Sequence, residues 1–166
     1  MQIILEGPDG IGKSTLADYI SEKYDHYIIH STSQTENTLE YHNKLLSGNN
    51  VILDRANLGE VVYPIIYDRE PKMSWIEQMT FMLTFKGIYI IFYASDFNDL
   101  KERLYNRGDT EEILENARLI NNLYKLLADM FRNFNNVYII DISKEKDQIK
   151  WFEEVLNEIN TRSKLS

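Results

Sequence analysis

Eight residues near the start of the chain, Gly7-Pro8-Asp9-Gly10-Ile11-Gly12-Lys13-Ser14, satisfy the pattern GxxxxGK[ST]. Glycines at these positions open backbone conformations closed to other residues, so successive N–H groups around Asp9, Gly10 and Ile11 turn inward as an anion nest where a helix begins. Lys13 supplies a mobile positive charge for the β- and γ-phosphates. The Ser14 hydroxyl completes the shell of the Mg2+ that ATP brings, and Thr15 lines the same pocket. The chemistry implied is a grip on the phosphate chain of a nucleoside triphosphate.

Two further groups suit that chemistry. Asp54 and Arg55 follow the run Val51-Ile52-Leu53. A carboxylate there can hold magnesium-bound water or orient an attacking oxygen, and the arginine can grip an acceptor's phosphate in a bidentate fork. Without the phosphate loop, the same pair would read as a surface turn. The variable part of the loop, Pro8 to Ile11, contains no basic residue. The arginine that meets a transferring phosphoryl group must therefore come from elsewhere. Arg103 and Arg107 lie one helical turn apart, just before Gly108, in a segment read as a lid over about residues 103–112. Closure of such a segment excludes the water that would hydrolyse ATP.

These residues need elements to hold them. Gln2–Glu6 is a short apolar run that ends in a glycine turn, and a helix over Lys13–Tyr24 is expected to follow. Tyr27–His30, Val51–Leu53, Ile88–Tyr93 and Val137–Ile140 are similar β-branched and aromatic runs, each fit to be buried on both faces, which makes five candidate strands. Between them the period changes. Ile113, Ala117, Ile120, Tyr124, Leu127 and Phe131 recur as one face of a helix, and Trp151, Val155, Leu156 and Ile159 repeat the pattern. Strands alternating with helices predict βαβ units: a three-layer α/β/α fold with a five-stranded parallel sheet, whose ligands gather beyond the carboxyl ends of the strands.

The bulk properties narrow the class. At 166 residues, 43% hydrophobic and 27% charged, residues 1–166 read as a single domain. A net charge of −8 opposes docking on a nucleic-acid backbone and leaves a small nucleotide held by a local basic site. There is no cysteine, so disulfides, thiolate metal sites and cysteine nucleophiles are excluded. The opening MQIILEG has no basic n-region, and the apolar run from Ile88 to Ala94 is far below membrane-spanning length, so a cytoplasmic protein is expected.

Three segments together resemble the thymidylate kinases and the small deoxynucleoside monophosphate kinases that some phages encode: the loop EGPDGIGKST, the segment DRANLGEVVY with a tyrosine nine residues after the aspartate, and RxxxRGDTEE in place of a lid. The resemblance implies a P-loop kinase fold and ATP-dependent phosphorylation of a nucleoside monophosphate. It implies that Asp9 contacts the acceptor's sugar hydroxyl, Arg55 its α-phosphate and Glu60 its base. Tyr63 would crowd the sugar and favour deoxyribose, while Asp109 and Glu112 match the acidic pair after the family's lid. The family's Arg-Glu-Pro segment after the second strand is replaced here by His30-Ser31-Thr32-Ser33-Gln34, and the stretch to Val51 is too short for its base-reading arginine. The accepted base therefore stays open, with Arg69, Tyr67 and the region of Trp75 as replacement contacts.

Other readings stand beside this one. A deoxynucleoside kinase would use Asp54 as general base toward a sugar hydroxyl. A nucleotide-dependent switch would keep the loop and transfer little, although the chain shows neither a DxxG nor an NKxD-type motif. A kinase acting on nucleic-acid ends conflicts with the acidic charge. His26, His30 and His42 lack metal-ligand spacing and receive no role. Asp141 to Asp147 is the stretch expected near the adenine. Dimerisation through the apolar helices is left open.

Overall fold

The computed structural model describes residues 1–32, 36, 38–48 and 50–163, with the side chains of all of these except Glu112 and Ser163. The elements run β1 (Gln2–Glu6), α1 (Lys13–Tyr24), β2 (Tyr27–His30), α2 (Leu39–Leu45), β3 (Val51–Asp54), α3 (Gly59–Tyr67), α4 (Trp75–Thr84), β4 (Ile88–Tyr93), α5 (Phe97–Arg107), α6 (Glu111–Phe131), β5 (Val137–Asp141) and α7 (Gln148–Ser163). The five strands form one parallel sheet in the order β2-β3-β1-β4-β5.

Alternation along the central strands builds two cores. Ile4, Leu53, Tyr89 and Ile91 face α3, α4 and the C-terminal part of α6, where they pack on Val62, Phe81, Tyr124 and Leu127. Ile3, Leu5, Ile52, Ile90 and Phe92 face α1, α5 and α7, packing on Leu16, Leu100 and Phe152. Because apolar side chains go to both sides, the central strands read as continuous hydrophobic runs. Helix α6 is long enough to serve both layers, with Leu114 and Ala117 in one core and Ile120, Tyr124 and Leu127 in the other.

Two expectations are corrected. Strand β2 was expected to be buried on both faces, yet Tyr27 is 75% exposed and none of its four residues is fully buried. It is an edge strand that pairs only with β3, so one side faces solvent. Ile113 was placed on the buried stripe of α6 but is exposed, and its neighbour Leu114 takes the inward position. A helix entered after a sharp turn at Gly108 starts its stripe one residue later than the internal spacing suggests.

The register brings chemistry to one edge. Leu5 pairs with Asp54 across β1 and β3, and His30 pairs with Asp54 across β2 and β3. Glu6, His30 and Asp54 therefore end their strands side by side. The chain leaves β1 toward β3 on one side and returns to β4 on the other, so this edge is also where the winding reverses and a crevice opens.

His42, on α2, is fully buried against Phe81, ring centroids 5.5 Å apart, and neither ring nitrogen has a partner among the described residues. Burial pushes its imidazole down to about 4, against the attraction of Glu60. A base whose folded value is depressed contributes fully above its unfolded value, about 6.5, and loses that contribution as pH falls toward 4. His42→Phe should raise stability at pH 7 by about 1–3 kcal/mol, since it replaces an unpaired buried polar ring with an apolar one. The advantage should then widen by about 1.4 kcal/mol for each pH unit below 6.5. Denaturant midpoints of both proteins between pH 4 and 8 check this, and a pH-independent difference would refute the buried neutral ring.

Candidate active site

The phosphate loop spans the gap between β1 and α1. Gly12 is the N-cap of α1 at φ 104°, and a Cβ there would lie 2.4 Å from the Gln148 side chain. A Cβ on Gly10, which sits at φ 72°, would lie 2.6 Å from the end of the Leu104 side chain. The loop is thus clamped between α5 and the start of α7, and the left-handed backbone at both positions is what demands glycine. Arg103 Nη1 and Gln148 Nε2 donate to the same carbonyl, Ile11 O, at 3.1 and 2.8 Å.

Lys13 is 5% exposed, and its ammonium donates to the carbonyls of Gly7 at 3.0 Å and Pro8 at 2.8 Å. Burial first, then the nearby Arg55, pushes it down to about 8 against the pull of Asp54, Asp9 and Glu6. Ser14 and Thr15 are exposed on the first turn of α1. Asp9, Gly10, Ile11, Gly12, Lys13, Ser14 and Thr15 line a pocket of about 350 Å³ together with His30, Ser31, Thr32, Asp54, Arg55 and Arg107.

Asp54 ends β3 inside this pocket. Its Oδ2 accepts from His30 Nδ1 at 3.0 Å, and its buried Oδ1 has no partner among the described residues. Arg55 follows in the left-handed region at φ 69°, with its N–H donating to Leu5 O at 2.9 Å. A non-glycine residue held there is strained and needs support from its surroundings. That bend aims its guanidinium at the Asp9 carboxylate and over the Tyr63 ring, 5.0 Å from the centroid. Burial opposes the Arg55 charge, and Tyr63, Asp9, Tyr124 and Asp54 outweigh it, holding the guanidinium above its ordinary value.

A second cleft, of about 550 Å³, opens beyond Arg55. It is lined by Ser31, Thr32, Arg55, Ala56, Gly59, Glu60, Tyr63, Tyr67 and Arg69. Tyr63 and Tyr67 stack nearly parallel, 6.3 Å apart at 5°, as residues four apart on α3 can. Burial pushes the Tyr63 phenol up, and its hydroxyl has no partner among the described residues. Helix α3 stops at Asp68 in the left-handed region, and Arg69 N–H bonds Pro64 O at 3.2 Å. That turn folds Arg69 back onto Glu60, nine residues earlier, where the two side chains form a fork at 3.0 and 3.1 Å. The phosphate pocket and this cleft share Ser31, Thr32 and Arg55.

Arg107 reaches the phosphate pocket, but its Nε and Nη2 both contact Asp109 Oδ2, at 2.8 and 2.7 Å. Asp109 lies between α5 and α6, lines a separate hollow there and does not line the cleft beyond Arg55. The Glu112 side chain, with Ser33 and Gln34, lies outside the described residues. Asp141 to Asp147 runs from the last residue of β5 to the start of α7, and Asp141 Oδ1 accepts from the N–H groups of Ser95 and Ser143 at 2.9 and 3.1 Å. Trp75 begins α4 and lines neither pocket.

Three residues escaped the sequence reading. Glu6 is fully buried. Its Oε1 accepts from the N–H groups of Ala56 at 2.8 Å and Leu58 at 2.9 Å, and its Oε2 accepts from the Tyr124 hydroxyl at 2.9 Å. A glutamate closing an otherwise apolar strand was the available signal. His30 ends β2 beside Asp54, and the strand-end logic applied to Asp54 could have found it. Gln148 carries no signal, because its role depends on where α7 docks.

Comparison with known proteins places the chain in a family. Residues 26–151 match the family model for thymidylate kinase. The prophage-derived uncharacterized protein YorR of Bacillus subtilis is 30% identical over 142 residues, covering 79% of this chain and 82% of its own. The crystal structure of YorR in complex with phosphorylated GDP superposes with a TM-score of 0.76 at 28% identity, covering 98% of each chain. The deoxyadenosine kinase of M. mycoides, solved with dCMP and dCDP, shares the fold at a TM-score of 0.65 and 21% identity, covering 96% of this chain and 100% of its own. By its match to the family model over most of its length, the chain belongs to the thymidylate kinase family.

Proposed function

We propose that this chain transfers the γ-phosphoryl group of ATP to a deoxynucleoside monophosphate, giving the diphosphate and ADP. The observation that carries the reading is the meeting of a phosphate pocket and an aromatic-walled cleft at one half-buried arginine, Arg55. A fixed cation between two compartments suits a phosphate that belongs to the acceptor and must face the donor's terminal phosphate. The complex of YorR with phosphorylated GDP supports a nucleotide with a phosphate chain as ligand of this fold.

On this reading the loop N–H groups and Lys13 hold the donor phosphates, and Lys13 exchanges the carbonyls of Gly7 and Pro8 for phosphate oxygens. Arg55 exchanges Asp9 for the acceptor's phosphate, which frees Asp9 for the sugar hydroxyl. Tyr63 and Tyr67 pack against sugar and base. Arg107, carried on the lid, leaves Asp109 to meet the charge that spreads over the transferring group. Arg103 steadies the loop through Ile11 O.

The donor set at the pocket suits magnesium: the exposed Ser14 hydroxyl and the unpaired Asp54 Oδ1 are hard oxygen donors. Among the described residues no three His, Asp or Glu side chains converge, so such an ion would take its remaining ligands from phosphate and water. When bound, it neutralises charge on the β- and γ-phosphate oxygens. No helix among the described residues is long and apolar enough to cross a membrane.

One observation favours a second reading, phosphorylation of a nucleoside hydroxyl. His30 orients the Asp54 carboxylate inside the phosphate pocket, an arrangement that could take a proton from a hydroxyl acceptor. A phosphate acceptor already ionised at neutral pH has no need of that base. A panel of nucleosides and monophosphates with ATP, read by ADP release, separates the two. Monophosphates should be consumed, and consumption of nucleosides alone would reverse the assignment.

Substitutions test the roles. Lys13→Ala should reduce transfer by at least about a thousandfold, because it removes the charge at the transferring phosphate. Arg107→Ala should lower kcat by about tenfold to a thousandfold with KM for both substrates within about threefold, since its contacts form in the transition state. Steady-state kinetics at saturating ATP measures both. Normal turnover by the Arg107 variant would remove the lid from the mechanism.

A further inference from the structure

Arg69 stands in the acceptor cleft as the partner of a carboxylate that is itself closed off. Its Nη1 and Nη2 donate to the two oxygens of Glu60 at 3.0 and 3.1 Å, and Glu60 Oε2 also accepts from the N–H of Lys72 at 3.0 Å. The Glu60 side chain is 1% exposed, so it offers a ligand almost no surface. Arg69, at 27%, lines the cleft and remains accessible. The wall of the cleft therefore presents donors.

A guanidinium bound end-on through Nη1 and Nη2 keeps a second usable edge, Nε–H and the remaining Nη2 hydrogen, which point the same way. Arg69 Nη1 is turned toward the carbonyl of Glu70, and Nε has no partner among the described residues. Because Glu60 holds one side of the group and the turn after α3 fixes the backbone, that second edge is set before any ligand arrives.

We propose that Arg69, locked by Glu60, reads the acceptor's base by donating twice from this edge, and that the base it selects is guanine, through O6 and N7. The inference rests on the reading of this cleft as the acceptor site. Guanine presents two adjacent acceptors on one edge, the pairing that arginine matches bidentately. Adenine sets the N6 donor beside N7, and thymine offers a single O4 beside a methyl group, so each meets the arginine with one acceptor at most. Cytosine has N3 and O2 but brings its N4 donor to a wall whose carboxylate is sealed behind Arg69. Guanine's own donors lie on the far side of O6. The stacked Tyr63 and Tyr67 supply an apolar surface for any base and leave the choice to Arg69.

The test uses the unaltered protein with ATP and six acceptors: dGMP, 7-deaza-dGMP, which lacks N7, dIMP, which keeps O6 and N7 without the amino group, dAMP, dCMP and dTMP. The expected result is dGMP and dIMP within about threefold of each other in kcat/KM. For 7-deaza-dGMP, KM should rise about tenfold to a hundredfold at nearly constant kcat, the effect of losing one of two base contacts. Arg69→Lys, which keeps the charge for Glu60 but has no second edge, should bring the ratio of dGMP to 7-deaza-dGMP to about one. Equal use of dGMP and 7-deaza-dGMP by the unaltered protein, or a preference for dTMP or dAMP, overturns the proposal. The same analogues supplied as nucleosides keep the two readings apart. A 7-deaza penalty seen only with nucleosides upholds base reading and overturns the monophosphate acceptor. Monophosphates consumed without any penalty do the reverse.

Discussion

A glutamate that no water reaches closes the first strand, and much of the site hangs from it. Glu6 gathers N–H groups from the turn that carries Arg55 into α3, a hydroxyl from α6 and a longer contact from Tyr89 on β4. Burial holds its carboxyl above the ordinary value, and the N–H groups, the Tyr124 hydroxyl and the charge of Arg55 offset part of that. The residue directly before the phosphate loop therefore also holds the turn after β3. The phosphate loop and the turn that carries Arg55 are tied to a single side chain, so their separation is fixed by hydrogen bonds instead of by loop flexibility.

The parallel sheet does the remaining placement. With β1 flanked by β3 and β4, the ends of three neighbouring strands deliver Glu6, His30 and Asp54 to one edge, and α1 starts there with its first turn open. Helix α5 and the start of α7 press on the loop from outside through Leu104 and Gln148. A loop so confined has little freedom to lose when phosphates bind, which is the structural meaning of a preorganised anion site.

Most of this architecture was legible from spacing. All five strands were identified to within a residue of their observed bounds, since runs buried on both faces carry a strong hydrophobic signal. The phosphate loop was legible because its chemistry is local: eight consecutive residues contain the whole device. Features that join distant segments were not. The burial of Glu6, the fork between Arg69 and Glu60, and the grip of Gln148 on Ile11 depend on which helix docks where, and no local pattern encodes that. The edge position of β2 was hidden for a related reason, because pairing partners and not composition decide whether a β-branched run meets solvent. The left-handed bend at Arg55 is a further case: nothing about an arginine favours it, and the surrounding contacts impose it.

Every cation around the phosphate pocket already has an oxygen within the protein. Lys13 holds two carbonyls, Arg55 holds Asp9, Arg103 holds Ile11 O and Arg107 holds Asp109. An incoming anion therefore competes with these internal partners for part of the donors it gains. Orthophosphate, with few oxygens in one place, can compensate only a fraction of that set. A polyphosphate chain that spans the pocket can replace several at once. On the proposed function, this self-occupancy disfavours small single anions and favours molecules with several phosphates in a row.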